Sequence, residues 1–327
     1  MREVEISQVP GFFIGHAQDM EAATGCTVIG CPEGAAAGVD VRGGAPCTRE
    51  TDLLKPENMV QKIHGVCLSG GSVFGLDAAA GMVKFLEEKG IGFDVQVCKV
   101  PIVCSAALFD LTVGSAFKRP DSRMGYEACL NAGKNVNCCG NFGAGTGASV
   151  GKIAGMERAV KGGLGSSAFE IDGVYIGALA AVNCLGDVID SGTGKILAGA
   201  LNANRDGFAD SEKLMVELLK KKTNLFSGNT TIGVILTNGG FGKGELTKLS
   251  SMAHDGLART MRPAHSWVDG DTIFSMSSGN KELDLNLAGM MAAKAMEKAV
   301  MKAVIHGETL CGIPAIKDLE FCSKREL

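Results

Sequence analysis

Aromatic side chains are scarce in this chain. They make up 5% of its 327 residues, with one tryptophan and two tyrosines. No basic stretch is interleaved with aromatics, and 36 acidic residues against 32 basic ones leave a net charge of −4. That balance argues against non-specific nucleic-acid binding. Long apolar runs are missing too: no window approaches the roughly 18 uninterrupted apolar residues of a membrane span. The start, MREVEISQVPGFF, lacks the basic-then-apolar pattern of a secretory signal. A soluble, cytoplasmic protein with no membrane partner is expected. Histidines are few, namely His16, His64, His254, His265 and His306, and none stands at metal-ligand spacing or in an evident Ser-His-Asp relation. Surface or capping roles are expected for each. The twelve cysteines contain no Cys-x-x-Cys pair. Cys138 and Cys139 are neighbours, whose side chains point to opposite faces in extended backbone. Cys26, Cys67, Cys98, Cys104 and Cys184 sit in apolar runs, where cysteine acts as a small hydrophobe. Buried free thiols are expected, with neither metal nor cofactor.

Glycine is abundant instead, at 46 residues, which suits close backbone packing and tight turns. Strand and helix patterns alternate. Segments 25–30 and 34–43 read as two strands joined by a Pro32-Glu33-Gly34 turn, and 62–71 as a strand ending in glycines. Helices are expected over 72–90, near 124–133, and over 209–222, 246–263 and 286–307. More strand is expected over 93–111, broken at Pro101, and over 230–237 and 272–279. Asp172-Gly173 marks a hairpin within 165–186. Hairpins mixed with paired helices suggest sheets sandwiched between helix layers, not a doubly wound parallel sheet. No repeat of 20–50 residues is visible.

Several catalytic signatures come close and fail on a physical detail. A phosphate-cradling loop needs glycine at position 146 and a hydroxyl after Lys152, where the chain has Thr146 and Ile153. Gly143, Gly145 and Gly147 lack dinucleotide spacing. A nucleophile elbow at Ser72 needs glycine where Phe74 stands. Ser149-Val150-Gly151-Lys152 matches the Ser-x-x-Lys of serine acylases, although the supporting Ser-Asp-Asn and Lys-Thr-Gly elements are absent.

Asn229-Thr230 lies between a charged stretch and the apolar run TTIGVILTN. A hydroxyl at the first position of a core strand is where a self-cleaving hydrolase would place its nucleophile. Breaking the backbone there would leave Thr230 with a hydroxyl and a free α-amine, a nucleophile and base on one residue. Asn-Thr-Thr also serves as an ordinary strand entry, or as a glycosylation acceptor in a secreted protein.

VPGFFIGHAQD (9–19), GVDVRGGAPCTRETDLL (38–54), LSGGSVFGLDAAAGM (68–82), GAGTGASVGK (143–152), GALAAVN (177–183), NTTIGVILTN (229–238), DGDTIF (269–274) and GIPAIKDL (312–319) stand in this order along nearly the whole chain. Together they resemble the DmpA-type self-processing aminopeptidases, a family that includes L-aminopeptidase/D-esterases, β-peptidyl aminopeptidases and nylon-oligomer hydrolases. The resemblance implies a mixed α/β (α+β) fold, a four-layer αββα sandwich like that of N-terminal-nucleophile hydrolases. It implies one domain over 1–327, cut into an α chain 1–229 and a β chain 230–327, and a homo-oligomer, tetramer or larger. It also implies cleavage of amide bonds in short peptides or small amides, as an aminopeptidase, without a cofactor. Matched position by position, Thr230 becomes the nucleophile, Asn229-Thr230 the cleavage site and Asn183 the oxyanion-hole asparagine. Lys152 and the pair Asp269 and Asp271 match the nylon-oligomer branch; the aminopeptidase branch has serine and glutamate in place of the two aspartates. Phe109 stands where relatives often carry a substrate-facing tyrosine, so a hydroxyl is lost there. Two rival readings remain: a Ser149/Lys152 serine acylase, and an uncleaved, non-catalytic scaffold.

Overall fold

The computed structural model describes residues 1–137, 139–220 and 228–323. Cys138 and the end of the expected 209–222 helix therefore lie outside the described residues. The strands that build the main sheet are β1 (Arg2–Val4), β2 (Phe13–Asp19), β3 (Thr24–Val41), β4 (Thr48–Arg49), β5 (Ile63–Ser69), β6 (Val103–Ala107), β7 (Gly163–Ile171), β8 (Val174–Asn183), β9 (Thr230–Gly239) and β10 (Thr272–Lys281). The helices that flank them are α1 (Ala78–Glu88), α2 (Ser122–Leu130), α3 (Ser211–Lys220), α4 (Lys243–Thr260) and α5 (Leu285–Ile305). Hydrogen-bonded neighbours run β1-β7-β8-β9-β10-β3-β5-β6-β4, with β2 added alongside β3.

One strand makes two layers out of this path. The C-terminal half of β3 pairs with β10 through residues 36–41, and its N-terminal half pairs with β2 and β5 through 24–30. The expected turn at Pro32-Glu33-Gly34 is thus not a hairpin. It is a bulge within one long strand, with a register shift against β5 between Gly30 and Ala35. Pro32 and Glu33 face solvent there, and a proline without an N–H is tolerated because no ladder bond is needed.

Alternating side chains then divide the core into three. Ile29, Val66, Leu68 and Ala106 meet Leu179, Ala181, Ile232, Val234 and Phe274 between the two layers. The opposite face of the β7–β10 layer carries Ile176, Ala178, Ala180 and Ile235 against α4 and α5. The opposite face of the β2–β3–β5–β6 layer carries Cys26, Val28 and Cys67 against α1 and α2. The central strands β5, β6, β8 and β9 bury both faces, which explains their near-continuous apolar runs. Helix, sheet, sheet, helix is the resulting order, the expected αββα sandwich. Asp172 (φ 50°) and Gly173 (φ 78°) close the β7–β8 hairpin with two left-handed residues, as the Asp-Gly signal implied. Asp121 caps α2 at Met124 N, and Asp284 caps α5 at Asn286 N and Leu287 N.

Two expectations fail on burial. Cys98 is exposed, in the short turn between Phe93–Asp94 and Lys99–Val100, although Cys26, Cys67, Cys104 and Cys184 are buried free thiols. Of the histidines, His306 does sit at a helix end, but His16, His64 and His254 are buried. Among the described residues, no helix is long and apolar enough to cross a membrane.

Candidate active site

Thr230 opens β9 in the middle of the sheet, and its ladder partner is Asn183, the last residue of β8. Both are buried, at 4% and 0% exposure. The Thr230 hydroxyl lies against the carbonyl oxygen of Asn229, to which it donates. Little else fits there. A side chain at Gly270 would bring its Cβ to 2.7 Å from Thr230 Oγ1, so only glycine lets the 269–271 loop lie on the hydroxyl.

Lys152 approaches from a short 3-10 turn (Lys152–Ala154) that follows the glycine-rich segment. Its Nζ donates to the carbonyls of Asn183, at 2.8 Å, and Gly228, at 2.9 Å. It therefore bridges the strand end and the residue before the candidate cleavage site. Burial pushes its pKa down to about 7. A neutral amine with both N–H groups on carbonyls keeps a free lone pair. Asn183 is tied in two directions: its Oδ1 accepts from Ser149 N at 3.0 Å, and its Nδ2 donates to Phe109 O at 2.9 Å. The Phe109 ring itself packs on Gly228, where an added Cβ would lie 2.1 Å from it.

The two aspartates are not equivalent. Asp271 is saturated: Oδ1 accepts from Thr231 N at 2.7 Å, and Oδ2 accepts from His265 N at 3.0 Å and His265 Nδ1 at 2.9 Å. Asp269 is held by Ser266 through Oδ2, while its buried Oδ1 has no partner among the described residues. Burial and the neighbouring Asp271 push the Asp269 carboxyl up to about 6.

The structure thus brings Thr230, Asn229, Lys152, Asn183, Asp269 and Asp271 to one place, with Phe109 at its border. Among the described residues no hydrogen bond joins the Ser149 hydroxyl to Lys152, whose Nζ donates to the carbonyls of Asn183 and Gly228. Arg42 belongs to the scaffold, with Asp40 at 2.8 Å and Ser251 O at 2.6 Å.

Sequence reasoning missed His265, Ser266 and Thr231, whose contacts with the aspartates come from loop geometry rather than from any periodic pattern. It also missed a buried frame behind the site. Lys161 donates to Gly145 O, Ala148 O and Gly162 O at 3.1, 2.8 and 3.3 Å. Asp110 accepts from Thr24 Oγ1 and Gly71 N, each at 2.7 Å. The signal available was a lysine and an aspartate inside apolar sequence.

A model of peptidase family S58 matches residues 5–316. The chain belongs to peptidase family S58. As a member, it is a hydrolase of the peptidase class. Over 344 aligned residues this S58 chain is 37% identical to an uncharacterised aminopeptidase of Mycobacterium bovis, covering 96% of this chain and 97% of the relative. It is 30% identical over 319 residues to the 6-aminohexanoate-oligomer endohydrolase of a Kocuria species, covering 92% and 86%. Its fold matches the L-aminopeptidase D-Ala-esterase/amidase of Ochrobactrum anthropi, described as a variant of the Ntn hydrolase fold, with TM-score 0.71 at 19% identity, covering 94% of this chain and 87% of the other. A β-aminopeptidase of a Burkholderia species superposes with TM-score 0.70 at 17% identity, covering 98% and 93%.

Proposed function

We propose that this S58 peptidase cuts its own chain between Asn229 and Thr230 and then uses Thr230 as an N-terminal nucleophile on short peptides or small amides, as an aminopeptidase. The observation that carries this reading is the buried Thr230 hydroxyl lying on the Asn229 carbonyl, with the Lys152 amine held on the carbonyls of Gly228 and Asn183. Oγ1 attacks the Asn229 carbonyl carbon and its proton passes to the Lys152 lone pair. The carbon–nitrogen bond breaks, the proton moves to the departing Thr230 nitrogen, and an ester remains. Water opens the ester, leaving a carboxylate on Asn229 and restoring the hydroxyl of Thr230. The freed α-amine has a reference pKa of about 7.7–8.0 and takes over as base. Asn183 supplies the oxyanion donor when its Nδ2 exchanges the Phe109 carbonyl for the tetrahedral oxygen, a contact worth roughly 10²–10³ in rate where such donors have been removed elsewhere. Asp269, with its open Oδ1, receives an ammonium, while Asp271 holds the strand start in place.

Mass spectrometry of purified protein tests this. Wild type is expected as two chains, the smaller beginning Thr-Thr-Ile-Gly. Thr230→Ala is expected as one inactive chain of 33.8 kDa. Normal splitting of that variant would remove Thr230 from the role.

A further inference from the structure

His265 stands outside every motif that drew attention to the site, yet it contributes two of the three hydrogen bonds received by Asp271. We infer that His265 is a positioning residue, which acts through Asp271 to fix Thr231 N and hence the Thr230 nucleophile. This role rests on the self-processing reading of Thr230. The backbone at His265 is left-handed, with φ 56°, an unfavourable conformation for a side chain of this size. That conformation lets the amide and the ring nitrogen reach the same carboxylate oxygen. A carboxylate only accepts, so Nδ1 carries the hydrogen of this contact. Nε2 is buried and has no partner among the described residues. The ring is steadied instead by His254 of α4, edge to face at a centroid distance of 4.8 Å. His254 Nε2 in turn donates to Asp40 O at 3.0 Å, which sets its tautomer.

Two consequences follow for the aspartate pair. Three N–H groups converge on the Asp271 carboxylate, and Asp271, after burial, helps push the Asp269 carboxyl beside it up to about 6. Asp271 also stays in one orientation, so the peptide nitrogen next to Thr230 cannot swing. The charged and titratable groups around Asp271 are Asp269 on its own loop, His254 on α4, Asp40 with Arg42 at the end of β3, and Lys152 with Cys184 beyond Asp269. None of them donates to the Asp271 carboxylate, so among the described residues His265 is its only side-chain donor.

The test compares His265→Ala and His265→Asn in the full chain. Appearance of the 230–327 fragment is followed by mass across pH 5–9, and kcat and KM are measured on an aminoacyl p-nitroanilide. Ala is expected to slow processing and kcat about tenfold, the effect of one lost charge-assisted hydrogen bond, with KM nearly unchanged. Asn, whose amide N–H replaces Nδ1–H, is expected to restore both rates. Should Ala not fold, Asn alone decides: wild-type rates support the role, and a tenfold loss overturns it. Equal damage in both variants, or an Ala variant with wild-type rates, overturns the role while leaving Thr230 intact. A wild-type chain that never splits removes both readings.

Discussion

Lys152 is useful as a base only where it has lost its charge. Burial lowers its pKa from 10.5 to about 7, so the neutral amine dominates above that value and the ammonium below it. Self-processing of wild type is therefore expected to accelerate with pH up to about 7 and level off above. Below 7 the rate falls about tenfold per unit. A quench series resolved by mass at fixed pH checks this, and a flat profile from pH 5 to 8 would exclude Lys152 as the base. Lys152→Met is expected to remain uncut at every pH. At this scale the sequence was legible where motifs were distinctive: Thr230, Asn183 and the Asp269-Gly270-Asp271 triplet all stand at or next to strand ends. His265 was not legible, because its contact depends on one left-handed residue and on a loop folding back by six positions.

Among the elements, α5 shows how a helix lies flat on a sheet. Its Ala288, Ala292, Ala295, Ala299 and Ala303 recur at helical spacing and are buried against β7 and β8. The strands answer with glycine: a Cβ at Gly165 would lie 1.9 Å from Ala299 O, and one at Gly163 would lie 2.4 Å from Ala303 O. Backbone meets backbone there, and neither side has a flexible end that yields. Gly165→Ala is expected to destabilise the fold by about 1–3 kcal/mol, the usual range for overpacking, read from the midpoint of urea unfolding at constant m. An unchanged midpoint would mean that α5 shifts freely. The Ala/Met face of this helix was visible in sequence, as were the β7–β8 hairpin and the apolar β9. The bend in β3 was not. Pro32-Glu33-Gly34 carries the same turn residues whether the chain reverses or kinks, and only long-range pairing with β5 and β10 separates the two.

For the molecule as a whole, the proposed cut falls inside a continuous sheet. β9 pairs with β8 on one side and β10 on the other, and β10 pairs with β3. The adjacent pair β9 and β10, both within 230–327, is therefore flanked on each side by a strand of 1–229. Processed fragments are expected to co-elute under native conditions and to separate only in denaturant. Their separation on a native column would contradict this arrangement. The layered architecture was legible because hairpins and broad apolar helices dictate it. The meeting of residues 149–152, 228–231 and 265–271 was not, since it follows from how three distant loops converge at one strand end. That strand end has a consequence of its own. Chain termini ordinarily fray, and an amine on a fraying end must be ordered anew at each encounter. An amine released at residue 230 would instead be born at an anchored end, with Asn183 across the ladder and the next peptide already fastened to Asp271. Its wandering is removed once, when the protein folds, rather than in every catalytic cycle.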